Sequence, residues 1–246
     1  MIAWLGMYDP APLRPANDRF WTAIRDALGD GPRALSRDVE PWTAWQSPEL
    51  LLAQTCGLPY RSRLHDTVTL VATPDYGLPG CPPGHYNSVI VVRADATGDR
   101  IEDFAAGTLA YNEALSQSGW AAPSAHFAER GLRFDKLLQT GAHAASARAV
   151  AEGRADIAGI DALSWTLLCE HEPVTEHLRV IGTTDPTPAL PYITAKGRDP
   201  EPQRAALNRA LATLSRADRN ALHLKGFEAL PPSAYLAQPI PPAPGA

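Results

Sequence analysis

The segment Ser88–Arg93 (SVIVVR) decides the fold class, because it is the strongest β-strand signal in the chain. A continuous apolar run of this length suits a strand that is buried on both faces, as in parallel sheets. Other strand signals lie at residues 67–73 (TVTLVAT) and 155–160 (ADIAGI). Helical patterns alternate with these strands. The alternation predicts an α/β fold in which residues 88–93 run parallel to their neighbours.

Helix signals are clearest where a capping residue precedes an apolar repeat. Phe20, Trp21 and Ile24 have helical spacing, and glycines follow them. The sequence SPE at 47–49 offers an N-cap and a proline in the first turn, which predicts a helix over residues 50–53. Further helices are predicted at 119–130, 144–152 and from 199 onward, and further strands at 2–7, 108–111, 136–139 and 178–183.

Breaks in composition near residues 85 and 185 indicate two lobes, with a middle lobe inserted into an outer one. The outer lobe is predicted to contain residues 1–88 and 188–246, and the middle lobe residues 89–187. The last residues, 238–246, are rich in proline and predict a frayed tail.

Composition excludes several classes of protein. The net charge of −5 and the absence of a basic stripe give nucleic-acid binding no electrostatic support. No apolar run approaches the roughly 18 residues needed to span a bilayer. The residues MIAWL at the start carry no leader pattern, so a cytoplasmic chain is expected as written, or a periplasmic one if a leader has been lost. Nucleophile, phosphate-loop and zinc motifs are absent, and neither a cofactor nor a metal is predicted.

The three cysteines are Cys56, Cys81 and Cys169, and their spacing fits no zinc pattern. Cys56 and Cys81 both lie beside glycine in turn-like contexts and could form a disulfide. Buried thiols are an equally good interpretation of the same pattern.

Two segments join a predicted strand to a helix start and are rich in hydrogen-bond donors. The first runs from Asn112 through Ser116 and Ser118, and the second contains Thr140, His143 and Ser146. Helix starts present unpaired N–H groups and favour negative charge, and open α/β sheets bind ligands at the carboxyl ends of strands. The alternative for Ser118 is a simple N-cap. Two such starts in one lobe predict an anion site.

Other residues at strand ends are candidates for contacts to the rest of a ligand. Asp161 follows a buried strand and could bind an amine or cap the next helix. Tyr8, Tyr86 and Tyr192 could form an apolar wall with polar tips, or could simply pack at the edge of a sheet.

The ordered motifs LLLAQTCG (50–57), GCPPGHYNSVIVV (80–92), NEALSQSG (112–119), TGAHAASARAVAEGRADIAGID (140–161) and LPYIT (190–194) cover most of the chain. With these motifs, the chain resembles the phosphate/phosphonate-type periplasmic substrate-binding proteins of ABC transporters. The resemblance implies a two-lobed α/β fold of the type 2 periplasmic binding proteins, with a double crossover hinge and a ligand cleft between the lobes.

The resemblance also assigns roles to residues. It places Ser116, Ser118, His143 and Ser146 on an anionic head group, and Asp161 deep in the cleft near an amine or hydroxyl. It also implies that ligand-binding residues come from the outer lobe and hinge, namely Tyr8, Gln54, Thr55, Tyr86, Ser88 and Tyr192. The missing leader and the short middle lobe depart from the family's pattern.

The resemblance implies that a small anion is captured without chemistry, with an ABC permease as partner and the binding protein itself a monomer. An enzyme on the same fold is the main alternative, as in the leaderless menaquinone-pathway enzymes such as chorismate dehydratase. The third hypothesis is a ligand sensor that reports to a partner protein.

Overall fold

The computed structural model describes residues 1–245 and is α/β throughout. The strands are β1 (Ile2–Trp4), β2 (Leu50–Gln54), β3 (Val68–Asp75), β4 (His85–Tyr86), β5 (Ser88–Arg93), β6 (Thr108–Tyr111), β7 (Lys136–Gln139), β8 (Ile157–Asp161), β9 (Leu178–Thr183), β10 (Thr187–Pro188), β11 (Tyr192–Ala195) and β12 (Gly226–Glu228). The helices are α1 (Arg14–Leu28), α2 (Pro41–Trp45), α3 (Gly57–Pro59), α4 (Ala122–Ala128), α5 (His143–Ala151), α6 (Ala162–His171), α7 (Glu201–Thr213), α8 (Arg216–Ala221) and α9 (Pro232–Leu236).

The chain divides into two compact units. Unit 1 contains Met1–His85 and Pro188–Ala237, and unit 2 contains Tyr86–Thr187 together with the described residues from 238 onward. The chain therefore passes between the units at residues 85–86, at 187–188 and again at 237–238. The division differs from the predicted lobes at residues 86–88 and at the C-terminal segment, both of which belong to unit 2.

Unit 1 is built on a five-stranded sheet, within the described residues, in the order β1-β2-β11-β3-β12. Strands β1 and β2 are parallel, whereas β11 runs antiparallel to both β2 and β3. The core contains Trp4, Trp45, Tyr60 and Tyr235. Burial raises the pKa of the Tyr60 phenol to about 12, as expected for a hydroxyl that is surrounded by apolar side chains.

The predicted helix at residues 50–53 is wrong, because this segment is the strand β2. All five residues of β2 are buried, between β1 on one side and β11 on the other. A run that is apolar on every side suits a central strand, and this burial overrides the local helix-start signal at residues 47–49.

Unit 2 is built on a second five-stranded sheet of the described chain, in the order β7-β6-β8-β5-β9. Strand β6 is parallel to both β7 and β8, but β5 is antiparallel to β8 and to β9. The prediction of a parallel β5 is therefore wrong in direction, although five of its six residues are buried as expected. Because only β5 is reversed, β6, β7, β8 and β9 end at the same edge of the sheet where β5 begins.

A hydrogen bond joins the C-terminal segment, which was predicted to be a frayed tail, to unit 2. The indole Nε1 of Trp120 donates a hydrogen bond to the carbonyl oxygen of Pro242 at 3.0 Å. Within residues 1–245, which include every cysteine, Cys56 and Cys81 are thiols and no disulfide joins them. No helix of the described chain has the length and apolar character needed to cross a membrane.

Candidate anion-binding site

The predicted donors of unit 2 lie along the sheet edge where four strands end. We call this the unit 2 edge and define it by Ser88, Asn112, Ser116, Ser118, Thr140, His143, Ser146 and Asp161. Ser88 at the start of β5 pairs in register with Asp161 at the end of β8. The turns after β6 and β7 supply the remaining residues. The structure thus brings together every site residue that was predicted between Ser88 and Asp161.

Ser116 and Ser118 have different roles at the first helix start. Ser116 is the N-cap, since its Oγ accepts a hydrogen bond from Gly119 N at 2.9 Å. Ser118 lies inside the first turn, where its Oγ is 2.9 Å from His143 Nε2. Its backbone carbonyl accepts a bond from Ser88 Oγ at 2.8 Å. The alternative prediction of Ser118 as the cap is therefore wrong, and its buried hydroxyl links two turns instead.

Gly119 permits a close approach between this helix start and the end of β6. A Cβ atom at Gly119 would lie 1.9 Å from Asn112 Oδ1. That oxygen is buried and has no hydrogen-bond partner among the described residues. A buried acceptor without a partner is costly, which makes the Asn112 amide oxygen a candidate for contact with a ligand group that donates a hydrogen.

The second helix start leaves backbone donors unused. The first hydrogen bond of α5 runs from Ser146 N to Ala142 O at 2.9 Å, so the N–H groups of residues 143–145 have no acceptor within the helix. The hydroxyls of Thr140 and Ser146 are 2.7 Å apart. A bond from Gly141 N to Asn112 O, also 2.9 Å, ties this turn to the first one.

His143 joins the two helix starts as a neutral group. Burial lowers its pKa to about 4, so the ring carries no charge near pH 7. Nε2 lies against Ser118 Oγ, while Nδ1 is buried without a partner among the described residues. A neutral imidazole donates from one nitrogen and accepts at the other, so the ring offers a polar atom to an incoming ligand. None of the eight residues that define the unit 2 edge is a lysine or arginine.

Asp161 is the acidic residue at this edge and is 1% exposed. Its Oδ1 accepts a hydrogen bond from Ser164 N at 2.7 Å, which makes it the N-cap of α6. The capping interpretation is thus realised in the structure. A contact to an amine or hydroxyl of the ligand stays a prediction.

The unit 1 edge is the matching sheet edge of the other unit, and we define it by Tyr8, Gln54, Thr55, Tyr76 and Tyr192. Gln54 Nε2 donates to the Tyr76 hydroxyl at 2.9 Å and to Leu190 O at 3.1 Å. The rings of Tyr8 and Tyr76 meet edge to face at 5.5 Å. Burial raises the pKa of the Tyr192 phenol. Thr55 is fully buried, and its Oγ1 has no partner among the described residues.

Two residues at these edges were missed by the sequence analysis. Tyr76 was missed because this strand was predicted to end at residue 73, whereas β3 continues to Asp75. Thr184 follows β9, and its hydroxyl accepts a bond from Ser88 N at 3.0 Å. The β-branched Thr183-Thr184 pair at a strand end is the signal that could have identified it. Tyr86 and Ser88, which the resemblance placed in the outer lobe and hinge, group with unit 2.

A family model described as "ABC transporter, phosphonate, periplasmic substrate-binding protein" matches residues 49–235, which is more than half of the chain. The chain therefore belongs to this family of substrate-binding proteins. Its function is the binding of a small anionic solute as the substrate-binding component of an ABC transporter. No curated protein sequence matches the chain.

Solved structures of low sequence identity share the periplasmic binding protein fold. PhnD1 from Prochlorococcus marinus, solved in complex with methylphosphonate, is 17% identical with a TM-score of 0.72, over 95% of this chain and 94% of that one. A binding protein component of an ABC phosphonate transporter from Pseudomonas aeruginosa is 18% identical with a TM-score of 0.69, over 92% and 80%. XAC2383 from Xanthomonas citri, bound to ATP, is 17% identical with a TM-score of 0.65, over 95% and 92%. The predicted fold class is confirmed.

Proposed function

We propose that the solute is a phosphonate- or phosphate-like oxyanion and that its head group binds at the unit 2 edge. One observation carries this proposal: two helix starts meet at one sheet edge and are joined by the contact of Ser118 with His143. Backbone N–H groups and hydroxyls at helix starts are a recurrent arrangement for binding oxyanions. PhnD1, a structural neighbour, was solved with methylphosphonate.

The donors suit an oxyanion because the fold holds them in position without a bound ligand. The Ser116 hydroxyl accepts from Gly119 N and retains its own hydrogen for a ligand oxygen. The N–H groups of residues 143–145 point out of α5 at the same edge. Neutral donors spread around several oxygens can stabilise a phosphonate without a cationic side chain.

The role of the protein is capture and delivery. The description of the family supports a periplasmic location, with an ABC permease as the partner that receives the solute. No chemical step is part of the proposal, and the binding protein acts as a monomer. Asp161, Tyr8, Gln54, Thr55, Tyr86 and Tyr192 are proposed to contact the remainder of the ligand.

The test is the Ser116→Ala/Ser118→Ala double variant, titrated with methylphosphonate and with inorganic phosphate by calorimetry. We expect the affinity to fall by about a hundredfold or more, because two hydrogen bonds to a charged group contribute on the order of 3 kcal/mol together. Ser62→Ala is the control, because Ser62 belongs to unit 1 and not to the unit 2 edge. Its hydroxyl donates a hydrogen bond to Leu58 O. Unchanged affinity of the double variant would contradict the proposed site.

A further inference from the structure

The proline-rich C-terminal segment is largely exposed but contacts unit 2 at Trp120. Residues 238–245 read QPIPPAPG and include Pro239, Pro241, Pro242 and Pro244. The pyrrolidine ring fixes φ, so such a segment loses little conformational entropy when it docks in an extended form. Residues 239–243 contain neither helix nor strand. The segment is therefore suited to act as a preformed strap.

The segment is anchored to one side chain of unit 2. Trp120 Nε1 donates to Pro242 O at 3.0 Å, and Trp120 is only 9% exposed. The indole ring also packs against Tyr111, with ring centroids 5.3 Å apart. An indole N–H donating to a carbonyl of a proline-rich segment is the geometry by which aromatic grooves recognise extended proline-rich peptides. The second contact zone surrounds a cavity of about 130 Å³. Gln238 and Pro239 of the segment line this cavity together with Gln117 and His126.

Both contact zones lie on the turn that carries the proposed anion donors. Gln117 and Trp120 belong to the helical turn Gln117–Ala121, which begins at the N-cap Ser116 and includes Ser118. The turn is short, and Ala121 N closes it by donating to Ser116 O at 3.0 Å. Tyr111, which packs on Trp120, is the last residue of β6 and directly precedes Asn112. Displacement of the segment would leave the Trp120 N–H without its acceptor and this turn without its outer support.

We propose that residues 238–245 form an intramolecular strap that holds the turn 116–121 in its anion-binding geometry. The inference rests on the proposed function, because it takes this turn to be the binding turn. Trp120 is then a positioning residue: it contacts the strap and not the ligand. Release of the strap would weaken anion binding without removing any donor.

Two truncations separate the anchor from the remainder of the segment. A chain that ends at Ala237 lacks the whole strap, whereas a chain that ends at Ala243 keeps the peptide carbonyl of Pro242 that Trp120 contacts. We expect amide hydrogen exchange within residues 117–121 to become about tenfold faster in the first truncation, since a supporting contact of the turn is lost. The second truncation should behave like the complete chain. Exchange in β9 serves as the internal reference for global unfolding.

A double-mutant cycle with Trp120→Phe tests the anchor itself. The phenylalanine keeps an aromatic ring but lacks the N–H, so the variant should weaken methylphosphonate binding by about five- to tenfold. Truncation at Ala237 should then add little further loss, because both changes remove the same contact. Independent, additive losses would overturn the proposal, as would unchanged exchange in residues 117–121 after truncation at Ala237. If the complete chain bound no anion, the proposed function would fail, while the exchange measurements would still decide whether the strap holds the turn.

Discussion

The unit 1 edge and the unit 2 edge both lie where parallel strands end, but they differ in chemistry. In each unit, parallel strands end at one side of the sheet and place polar residues there. The unit 2 edge presents small hydroxyls and an imidazole beside two helix starts. The unit 1 edge presents three tyrosines and an amide, and Gln54 Nε2 is already held by Tyr76 and Leu190. Under the proposed function the unit 2 edge supplies the donors to the anion, whereas the unit 1 edge is mainly aromatic.

The difference follows from what the chain does after each strand. In unit 2, the turn after β7 leads into the nine-residue helix α5, whose first N–H groups point at the edge. In unit 1, β2 leads into the helical residues 57–64, whose cap residue Cys56 makes no side-chain cap bond, and β1 is followed by a short 3₁₀ turn. No serine or histidine is among the residues that define the unit 1 edge, whereas the unit 2 edge has both beside its helix starts. Anion recognition is therefore expected to depend on unit 2.

The largest effect is expected from Gly119→Ala at the unit 2 edge. The new methyl group would lie 1.9 Å from Asn112 Oδ1, so the amide or the helix start must move. We expect anion affinity to fall by about a hundredfold or more and the free energy of unfolding to fall by about 2 kcal/mol. Calorimetry and urea unfolding measure the two quantities.

Gly226→Ala in unit 1 is the matched control for this substitution, because a Cβ atom there meets nothing within 4 Å. It should leave binding and stability close to those of the original chain. If Gly119→Ala bound the anion as well as this control did, the close packing at the unit 2 edge would have no part in recognition.

An intermediate effect is expected on the pH dependence of the free energy of unfolding, because of His143. Its pKa is about 4 in the folded chain against the ordinary 6.5 of a histidine, so the unfolded chain binds the proton more readily. Stability is therefore highest above pH 6.5 and falls as the pH drops from 6.5 towards 4, by on the order of 3 kcal/mol. His143→Asn should flatten this part of the stability profile, measured by urea unfolding between pH 4 and 7.

His171→Asn, which replaces an exposed histidine of the same unit, should leave the profile unchanged. Burial also lowers the pKa of His126, so a residual slope of the same sign is expected in the His143 variant. An unaltered profile in His143→Asn would show that the ring is not held neutral by the unit 2 edge.

The smallest effect is expected from Thr55→Val at the unit 1 edge. The Thr55 hydroxyl is buried without a partner among the described residues, so its replacement by a methyl group should leave stability unchanged or raise it by up to about 1 kcal/mol. If the hydroxyl serves the ligand, affinity should fall by about fivefold. Thermal unfolding and calorimetry on the same samples give both values. Raised stability with unaltered affinity would remove Thr55 from the ligand contacts.

The sequence predicted strand positions better than strand directions. Buried β5 was placed correctly, because a run of β-branched residues carries a strong local signal. Its direction depends on pairing with β8 and β9, which are more than 60 residues away and leave no local trace. The helix predicted over β2 failed for a related reason. Its capping signal is local, whereas its burial between β1 and β11 is set by the tertiary fold.

The candidate site was predicted in position but not in detail. Strand–turn–helix order was enough to place Ser118 and His143 at one edge, because the ends of parallel strands meet there. The choice of Ser116 as the cap, and the contact of Trp120 with the C-terminal segment, depend on geometry that composition does not encode. A proline-rich segment predicts disorder unless a specific aromatic partner is known.

The separation of core from edge in unit 2 has a consequence for how this protein can diversify. The residues behind the edge, such as Ile90 and Ile157, are fully buried and fix the sheet, while the turns 112–118 and 140–146 hang from strand ends. Substitutions in those turns alter the donor pattern without disturbing the apolar interior. A library randomised at these turns alone, with Gly119 kept, should yield folded variants of altered solute preference. The same arrangement allows related proteins to differ in the solute that they bind while they keep the same fold.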